Sequence, residues 1–168
     1  EMYRLVSEMY DAKEYGSILN ISPANFKAMY ARLEELNDIP ELEAVGAVAD
    51  LCPLIQCGEV MAQQYDAVVT NPPYMGSSGM SAKLNDFVKD NYPNTKSDMS
   101  TVFMEKTLSM CLTHGYMAMI NIPVWMFLTS FGKQRNHLLR GNSIVSLLHL
   151  GRGIFGADFG TVAFVINK

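Results

Sequence analysis

The sequence predicts an α/β fold in which a largely parallel sheet follows an N-terminal helical segment. After Asp66, apolar runs and amphipathic stretches alternate in the order strand, helix, strand, helix, strand, strand. Such alternation is typical of parallel sheets whose strands are joined by helices, and the last two strands predict a hairpin-like pair. With 168 residues, the chain is long enough to bury a core of its own.

Residues 1–64 carry apolar side chains at helical spacing, which predicts three helices. The first covers residues 1–14. Ser22-Pro23 predicts the start of the second, because a serine cap followed by proline at the first helical position suits a helix amino end. The third extends from about Glu41 to Gln64, with a bend at Pro53.

The remaining elements follow from short apolar runs and their punctuation. Residues 65–70 form an apolar run that predicts a buried strand. Ser97 and Asp98 can cap a helix that extends to about Leu112, where Gly115 stops it. Further elements are expected as a strand at 116–120, a helix with a basic face at 125–140, and strands at 144–150 and 161–166.

Composition excludes several classes of protein. Hydrophobic residues make up 49% and charged residues 18%, as in globular proteins. No apolar run reaches the roughly 18 residues that would suggest a membrane span, and residues 1–20 lack the pattern of a signal peptide. Three cysteines without paired metal spacing indicate reduced thiols, which suit the cytoplasm. The three histidines also lack the spacing of a metal site, so no metal is expected.

Charge is divided unevenly along the chain. Residues 1–82 carry 4 Lys/Arg and 12 Asp/Glu, whereas residues 83–168 carry 9 and 5. The net charge of −4 is unfavourable for an unaided DNA binder, because contacts to phosphate dominate such affinity. Lys133, Arg135 and Arg140 could contact phosphates, but a solvated helix face is the favoured interpretation.

The sequence Asn71-Pro72-Pro73-Tyr74 directly follows the first predicted strand. Prolines cannot extend a strand, so the chain must turn where open α/β sheets bind ligands. The Asn71 side-chain oxygen and the Pro72 carbonyl can each accept an N–H bond from an amine, which pushes the nitrogen toward tetrahedral geometry. Pro73 helps to fix the direction of that carbonyl, and Tyr74 offers a ring face for stacking.

These four residues resemble motif IV of the S-adenosylmethionine-dependent amino methyltransferases, above all the DNA adenine-N6 enzymes. Residues 97–105, 115–123 and 161–166 resemble motifs V, VI and the final strand of the same class I (Rossmann-like) sheet. In that sheet the last strand lies antiparallel between its neighbours. Over residues 39–168 the chain is similar to the large adenine-specific methyltransferases of BREX phage-defence systems, which are related to type II restriction–modification methylases.

The resemblance implies a site-specific DNA methyltransferase that transfers methyl from S-adenosylmethionine to N6 of a flipped adenine. It implies a bacterial or archaeal cytoplasmic protein with double-stranded DNA as partner, and other defence-system subunits as further partners. Residues 1–38 resemble a helical insertion, and residues 39–168 the catalytic subdomain. The catalytic residues are those of the tetrapeptide, and Asp98 is expected either to contact the donor or to cap its helix. The residues expected to contact substrate are Gly76, Lys83, Phe155 and Phe159.

Two features leave questions open. The stretch 75–80 is rich in glycine and is either a mobile loop that closes over substrate or a plain linker. The stretch Gly151–Gly156 matches the pattern G-x-G-x-x-G, but a donor loop requires a helix at its third glycine. Because another strand is predicted soon after, we interpret it as a loop between antiparallel strands.

One departure from the family pattern concerns the donor-binding glycine loop, which such enzymes carry upstream of the tetrapeptide. The upstream glycines here, Gly16, Gly46 and Gly58, are isolated. The sequence is therefore expected to be part of a larger enzyme and to be inactive unaided. Two alternatives remain: methylation of a protein glutamine or an RNA guanine amine by the same motif, and a non-catalytic interaction module that retains it.

Overall fold

A computed structural model describes residues 1–39, 41–154 and 160–168, except for the side chains of Leu42 and Glu43. The chain divides into two compact units, Glu1–Gln63 and Gln64–Lys168. This division reflects which residues pack together. The predicted boundary after Asp38, between a helical insertion and a catalytic subdomain, concerns function and stays a prediction.

The first unit is helical. Its elements are α1 (Met2–Glu8), α2 (Ala12–Tyr15), a short 3₁₀ turn (Gly16–Ile18), α3 (Phe26–Asn37) and α4 (Leu42–Ala62). Helices α3 and α4 pack against each other. The Tyr30 hydroxyl of α3 donates a hydrogen bond of 2.9 Å to the Glu59 carboxylate of α4.

Two predicted helix boundaries in this unit are wrong. The helix expected over residues 1–14 is interrupted at Asp11, whose φ of 61° is left-handed. Ser22 does not cap α3, because its N–H and hydroxyl both bind the Glu8 carboxylate, at 2.9 and 2.6 Å. The cap is Asn25, whose side chain accepts the Ala28 N–H at 3.0 Å. A carboxylate distant in sequence thus competed successfully for the serine hydroxyl.

Helix α4 matches the third predicted helix and contains Pro53. Its residues 44–62 are long and apolar enough to cross a membrane by length and composition alone. Asp50 and Glu59 interrupt this stretch, so it contains no continuous apolar run of that length. Since the Glu59 carboxylate is bound by Tyr30, we describe α4 as the packing partner of α3.

The second unit contains a four-stranded sheet with helices. In chain order its elements are β1 (Tyr65–Thr70), a 3₁₀ turn (Ser77–Gly79), α5 (Ala82–Asn91), α6 (Met99–Ser109), β2 (Cys111–Asn121), α7 (Val124–Phe127), a 3₁₀ turn (Thr129–Phe131), α8 (Gly132–Leu139), β3 (Ser143–Gly151) and β4 (Thr161–Asn167). The strand order is β1-β2-β4-β3. Strand β1 is parallel to β2, and β4 lies antiparallel between β2 and β3.

This topology confirms the α/β class and the antiparallel final pair. The last strand lies between its neighbours, as the family resemblance implied. Among the described strand pairs one is parallel and two are antiparallel, so the expectation of a largely parallel sheet is not met. The reason is that β4 inserts between β2 and β3 and separates them.

The core lies on one face of the sheet. Alternate residues of β2 and β4, such as Met117, Met119 and Phe164, are buried against side chains of the helical layer. The Trp125 and Phe164 rings pack with their centroids 5.4 Å apart. The opposite face is open at Val69, whose side chain is 76% exposed.

Helix α6 is shorter than predicted, and Gly115 lies within β2 rather than at the end of a helix. The Met110 carbonyl accepts the Tyr65 N–H at 2.8 Å, which draws the chain into the sheet directly after α6. Asp66 of β1 then faces residues 112–115 in an irregular part of the ladder. A Cβ on Gly115 would lie 2.9 Å from the Leu112 carbonyl oxygen and 3.1 Å from that of Asp66. This close backbone approach explains the glycine.

The helix predicted over residues 125–140 is divided in two. Leu128 has an extended ψ of 141°, which separates α7 from the turn that precedes α8. The Arg135 guanidinium donates to the carbonyls of Trp125 and Leu128, at 2.8 and 2.7 Å. Arg135 therefore holds the break together and is not a freely solvated side chain.

We expect Gly115→Ala to destabilise the sheet by about 1–3 kcal/mol, the usual cost of adding a methyl group to a filled space. Hydrogen–deuterium exchange of the native protein, followed by mass spectrometry, should show faster exchange in peptides covering residues 111–121. Gly46→Ala is the matched control, because no atom lies within 4 Å of its added Cβ and alanine favours a helix. Unchanged exchange in the Gly115→Ala protein would contradict the close-approach explanation.

Candidate active site

Asn71 lies at the carboxyl end of β1, beside the equivalent end of β2. Thr70 is paired with Met119, so the next residues, Asn71 and Ile120, leave the paired region side by side. Pro72 is buried and Asn71 is exposed. Strand β1 ends at Thr70, as predicted, and the amide of the next residue lies at the edge where parallel strands end.

The Tyr74 hydroxyl lies within hydrogen-bond distance of two oxygens. It is 3.0 Å from Asn71 Oδ1 and 3.2 Å from the Ile120 carbonyl oxygen. Burial raises the pKa of the Tyr74 phenol above its usual value of 10.0, so the hydroxyl keeps its proton at neutral pH. Tyr74 thus connects the amide of the tetrapeptide to the backbone of β2.

An apolar groove of about 510 Å³ adjoins Asn71. Much of its lining comes from the sheet face opposite the core. These residues are Val69, Ala118, Ile120, Leu148, Ala163 and Val165. Among the described residues of the lining, none has a charged side chain. A groove of this kind can bury the ring of a planar apolar group while Asn71 supplies a polar contact at its end.

The start of the stretch 75–80, residues 75–77, is a tethered segment that is held by backbone hydrogen bonds. The Met75 carbonyl accepts the Met99 N–H at 2.9 Å, and the Ser77 N–H donates to the Ser97 carbonyl at 3.2 Å. Gly76 forms an isolated bridge with Asp98. These bonds attach the start of the stretch to the beginning of α6.

Asp98 is shown in one of the two roles considered for it. Its Oδ1 accepts both the N–H and the hydroxyl of Ser100, at 2.8 and 2.6 Å, which caps α6. The side chain is buried, with 8% of its residue surface exposed. A contact of Asp98 with a donor stays a prediction.

The other predicted substrate contacts are placed only in part. Gly76 lies within the tethered segment just described, five residues beyond Asn71. Lys83 lies in the first turn of α5 and is exposed. Phe155 and Phe159 fall outside the described residues, as does the third glycine of the pattern Gly151–Gly156. The structure does confirm that this pattern begins at the end of β3 and precedes the antiparallel strand β4.

A second groove of about 610 Å³ lies at the other edge of the sheet. Lys133, Arg140 and Lys168 line it. Lys168 follows Asn167, which pairs with Tyr116 near the start of the paired part of β2. Since Asn71 lies beyond the carboxyl end of β1, the basic groove and the candidate site occupy opposite edges.

Among the residues that the structure describes, no group of three His, Cys, Asp or Glu side chains could hold a metal ion. Cys52, Cys57 and Cys111 are free. Cys111 is buried, and burial is the main cause that raises the pKa of its thiol.

Sequence reasoning missed the part that Ile120 plays through its carbonyl. A backbone acceptor has no signature in the sequence. The available signal was the pairing itself, because Ile120 ends the predicted strand 116–120 and Asn71 follows the predicted strand 65–70. The carboxyl ends of neighbouring parallel strands meet at one edge of a sheet.

We expect Asp98→Ala to destabilise the start of α6 by about 1 kcal/mol, because it removes the side-chain cap. The tethered segment should loosen as well. In the native protein, hydrogen–deuterium exchange of peptides covering residues 75–80 and 98–103 should become faster. Asp90→Ala removes an exposed carboxylate from α5 and is expected to leave both regions unchanged. Equal effects of the two substitutions would contradict the assigned role of Asp98.

Known proteins resemble this chain in sequence, in fold and in family. Adenine-specific methyltransferase BrxX of Escherichia coli O9:H4 (strain HS) is 36% identical over 174 residues, which cover 99% of this chain and 14% of that protein. Adenine-specific methyltransferase PglX of Lacticaseibacillus casei (strain Zhang) is 41% identical over 123 residues, covering 71% of this chain and 10% of that protein. The chain thus spans a small part of the length of these relatives.

A solved structure from Listeria monocytogenes, assigned to the class I S-adenosylmethionine-dependent methyltransferases, matches with a TM-score of 0.50 and 11% identity. The match covers 98% of this chain and 65% of that one, and it shows the fold. The family model described as Eco57I restriction-modification methylase matches residues 8–155. Since this match covers most of the sequence, the chain belongs to the Eco57I restriction-modification methylase family.

Proposed function

We propose that this chain carries the acceptor side of the active site of a DNA adenine-N6 methyltransferase that uses S-adenosylmethionine. The observation that carries the proposal is the position of Asn71. It lies at the carboxyl end of a strand of a class I methyltransferase sheet, beside an apolar groove. Membership of a restriction-modification methylase family, and relatives named as adenine-specific methyltransferases, favour this reaction over the alternatives.

Asn71 and Pro72 perform the positioning in this proposal. The adenine amine donates one N–H to Asn71 Oδ1 and the other to the Pro72 carbonyl, which directs the nitrogen lone pair away from the ring. When bound, S-adenosylmethionine supplies an electrophilic methyl group on sulfur. A nitrogen–carbon bond forms as the sulfur–carbon bond breaks, and the amine proton leaves to solvent. Rigid prolines limit the reorganisation needed as charge develops.

The target adenine must leave the duplex to reach Asn71. Enzymes that act on a base inside DNA extrude it and stack it against aromatic or apolar side chains. The Tyr74 ring and the apolar groove beside Asn71 provide such surfaces. Gly76 and Lys83 remain proposed substrate contacts, together with Phe155 and Phe159 outside the described part of the chain.

The described residues place the acceptor amide but not a complete donor site. Among the lining residues of the apolar groove that the structure describes, none has a charged side chain for the ammonium and carboxylate groups of S-adenosylmethionine. Gly46 and Gly58 lie inside α4, and Gly16 begins a 3₁₀ turn, so none of them opens a donor loop after a strand. We propose that a glycine loop elsewhere in the native protein binds the rest of the donor.

Further proposals follow from the family. The native protein acts on double-stranded DNA in the cytoplasm of a bacterium or archaeon, with other defence-system subunits as partners. Residues 39–168 belong to its catalytic domain, and residues 1–38 form a helical insertion. The acidic first half of the sequence means that residues outside the chain supply most of the grip on phosphate.

The substrate class can be tested directly. The native protein should be incubated with S-adenosylmethionine labelled in its methyl group and, separately, with unmethylated DNA, ribosomal RNA and a protein mixture. Label in N6-methyladenine of DNA supports the proposal. Label in guanine of RNA or in glutamine would establish the alternative acceptors, and no incorporation with any acceptor would support a non-catalytic module.

We expect Asn71→Ala to lower the rate of DNA adenine methylation by about 100-fold or more, as loss of one transition-state hydrogen bond does in other enzymes. The change removes an exposed amide, so the melting temperature should stay the same. Asn136→Ala is the control, since Asn136 is an exposed residue of α8 that lines the basic groove at the other edge. Near-normal methylation by the Asn71→Ala protein would contradict the role of Asn71 as acceptor for the adenine amine.

A further inference from the structure

The Tyr74 hydroxyl has one proton but two acceptor oxygens within hydrogen-bond distance. The hydroxyl has one proton, and the structure places two oxygens around it: Asn71 Oδ1 at 3.0 Å and the Ile120 carbonyl at 3.2 Å. Both oxygens are acceptors. One proton can make a well-directed bond to only one of them, so the other oxygen faces the hydroxyl without a hydrogen between.

A half-turn of the Asn71 amide about its Cβ–Cγ bond resolves the problem. The turn exchanges Oδ1 and Nδ2, two atoms of nearly equal size. Nδ2–H then donates to the Tyr74 oxygen at a distance normal for this bond, and the Tyr74 proton goes to the Ile120 carbonyl. The Tyr74 hydroxyl then accepts one hydrogen bond, from Asn71, and donates one, to Ile120.

We propose that Tyr74 is a positioning residue whose hydroxyl, anchored on the Ile120 carbonyl, holds the Asn71 amide with Oδ1 toward the substrate amine. The inference rests on the proposed function, because it concerns the acceptor site of that reaction. It assigns two separate jobs to one side chain. The ring stacks on the base, and the hydroxyl selects the orientation of the amide.

The chemistry of the amine explains why the orientation matters. An exocyclic amine presents N–H groups, so an amide that turned Nδ2 toward it would place donor against donor. Free in solvent, the two amide orientations are close in energy, and the substrate would have to select one on each binding event. The raised pKa of Tyr74 keeps its hydroxyl protonated, as donation to Ile120 requires.

Ile120 is a suitable anchor because its backbone belongs to β2. This strand is paired on one side with β1 and on the other with β4. The amide of an exposed turn residue is thereby held relative to the centre of the sheet rather than to the turn.

The first test is Tyr74→Phe in the native protein, which keeps the ring and removes the hydroxyl. We expect the single-turnover rate constant for DNA methylation to fall about tenfold, which corresponds to about 1.4 kcal/mol. The KM for DNA should stay the same because the stacking surface remains. Tyr116→Phe is the matched control, since it removes an exposed hydroxyl from β2 and should leave the single-turnover rate constant unchanged.

The second test repeats the substitution in an Asn71→Asp background. A carboxylate has two equivalent oxygens, so it has no orientation for a hydroxyl to select. Tyr74→Phe should therefore lower the single-turnover rate of the Asn71→Asp protein by no more than about twofold, and the two substitutions should be strongly non-additive. Single-turnover measurement keeps a slow variant within reach.

The outcomes separate the two proposals. Activity retained in the Asn71→Ala protein would overturn the proposed function itself. If Asn71→Ala is inactive but Tyr74→Phe lowers the rate by the same factor in both backgrounds, the hydroxyl acts on something other than amide orientation and the inference fails. An unchanged single-turnover rate constant in the Tyr74→Phe protein, or a change in KM alone, would also overturn the inference.

Discussion

The candidate site depends on the parallel pairing of β1 with β2. Because Thr70 pairs with Met119, Asn71 leaves the sheet beside Ile120, and the Tyr74 hydroxyl can reach the Ile120 carbonyl. A shift of one residue in this register would move every side chain of β1 to the other face. Val68, which is partly buried against the core, would then leave it, and Val69 would face the core instead. The register that packs Val68 against the core is thus the same one that places the tetrapeptide.

The antiparallel strand β4 stiffens this arrangement. It pairs with β2 over six residues and buries Val162, Phe164 and Ile166 in the core. The other sheet face stays apolar yet open, with Leu148 63% exposed. The groove beside Asn71 lies on this open face.

The cap of α6 and the backbone hydrogen bonds of the stretch 75–80 hold the chain beyond the strands. Asp98 was singled out for a donor contact or a cap, and the structure shows the cap because Ser100 saturates one of its oxygens. From the sequence, the stretch 75–80 after Tyr74 was either a mobile loop that closes over substrate or a plain linker. Backbone bonds of Met75 and Ser77 attach its start to the amino end of α6. The turn that bears Asn71 is therefore held from both sides, by β1 before it and by α6 after it.

The sequence by itself determined the elements whose signals are local. The apolar run 65–70 ends at two prolines, which cannot pair, and that alone fixed the turn and the amide it presents. The α6 cap and the final strand pair were equally local. Only the tertiary structure decided features that depend on residues distant in the chain: Glu8 taking the Ser22 hydroxyl, Gly115 meeting the Asp66 carbonyl, and Ile120 binding Tyr74. Backbone carbonyls carry no side-chain signature, so their partners become visible only when the strands are brought together.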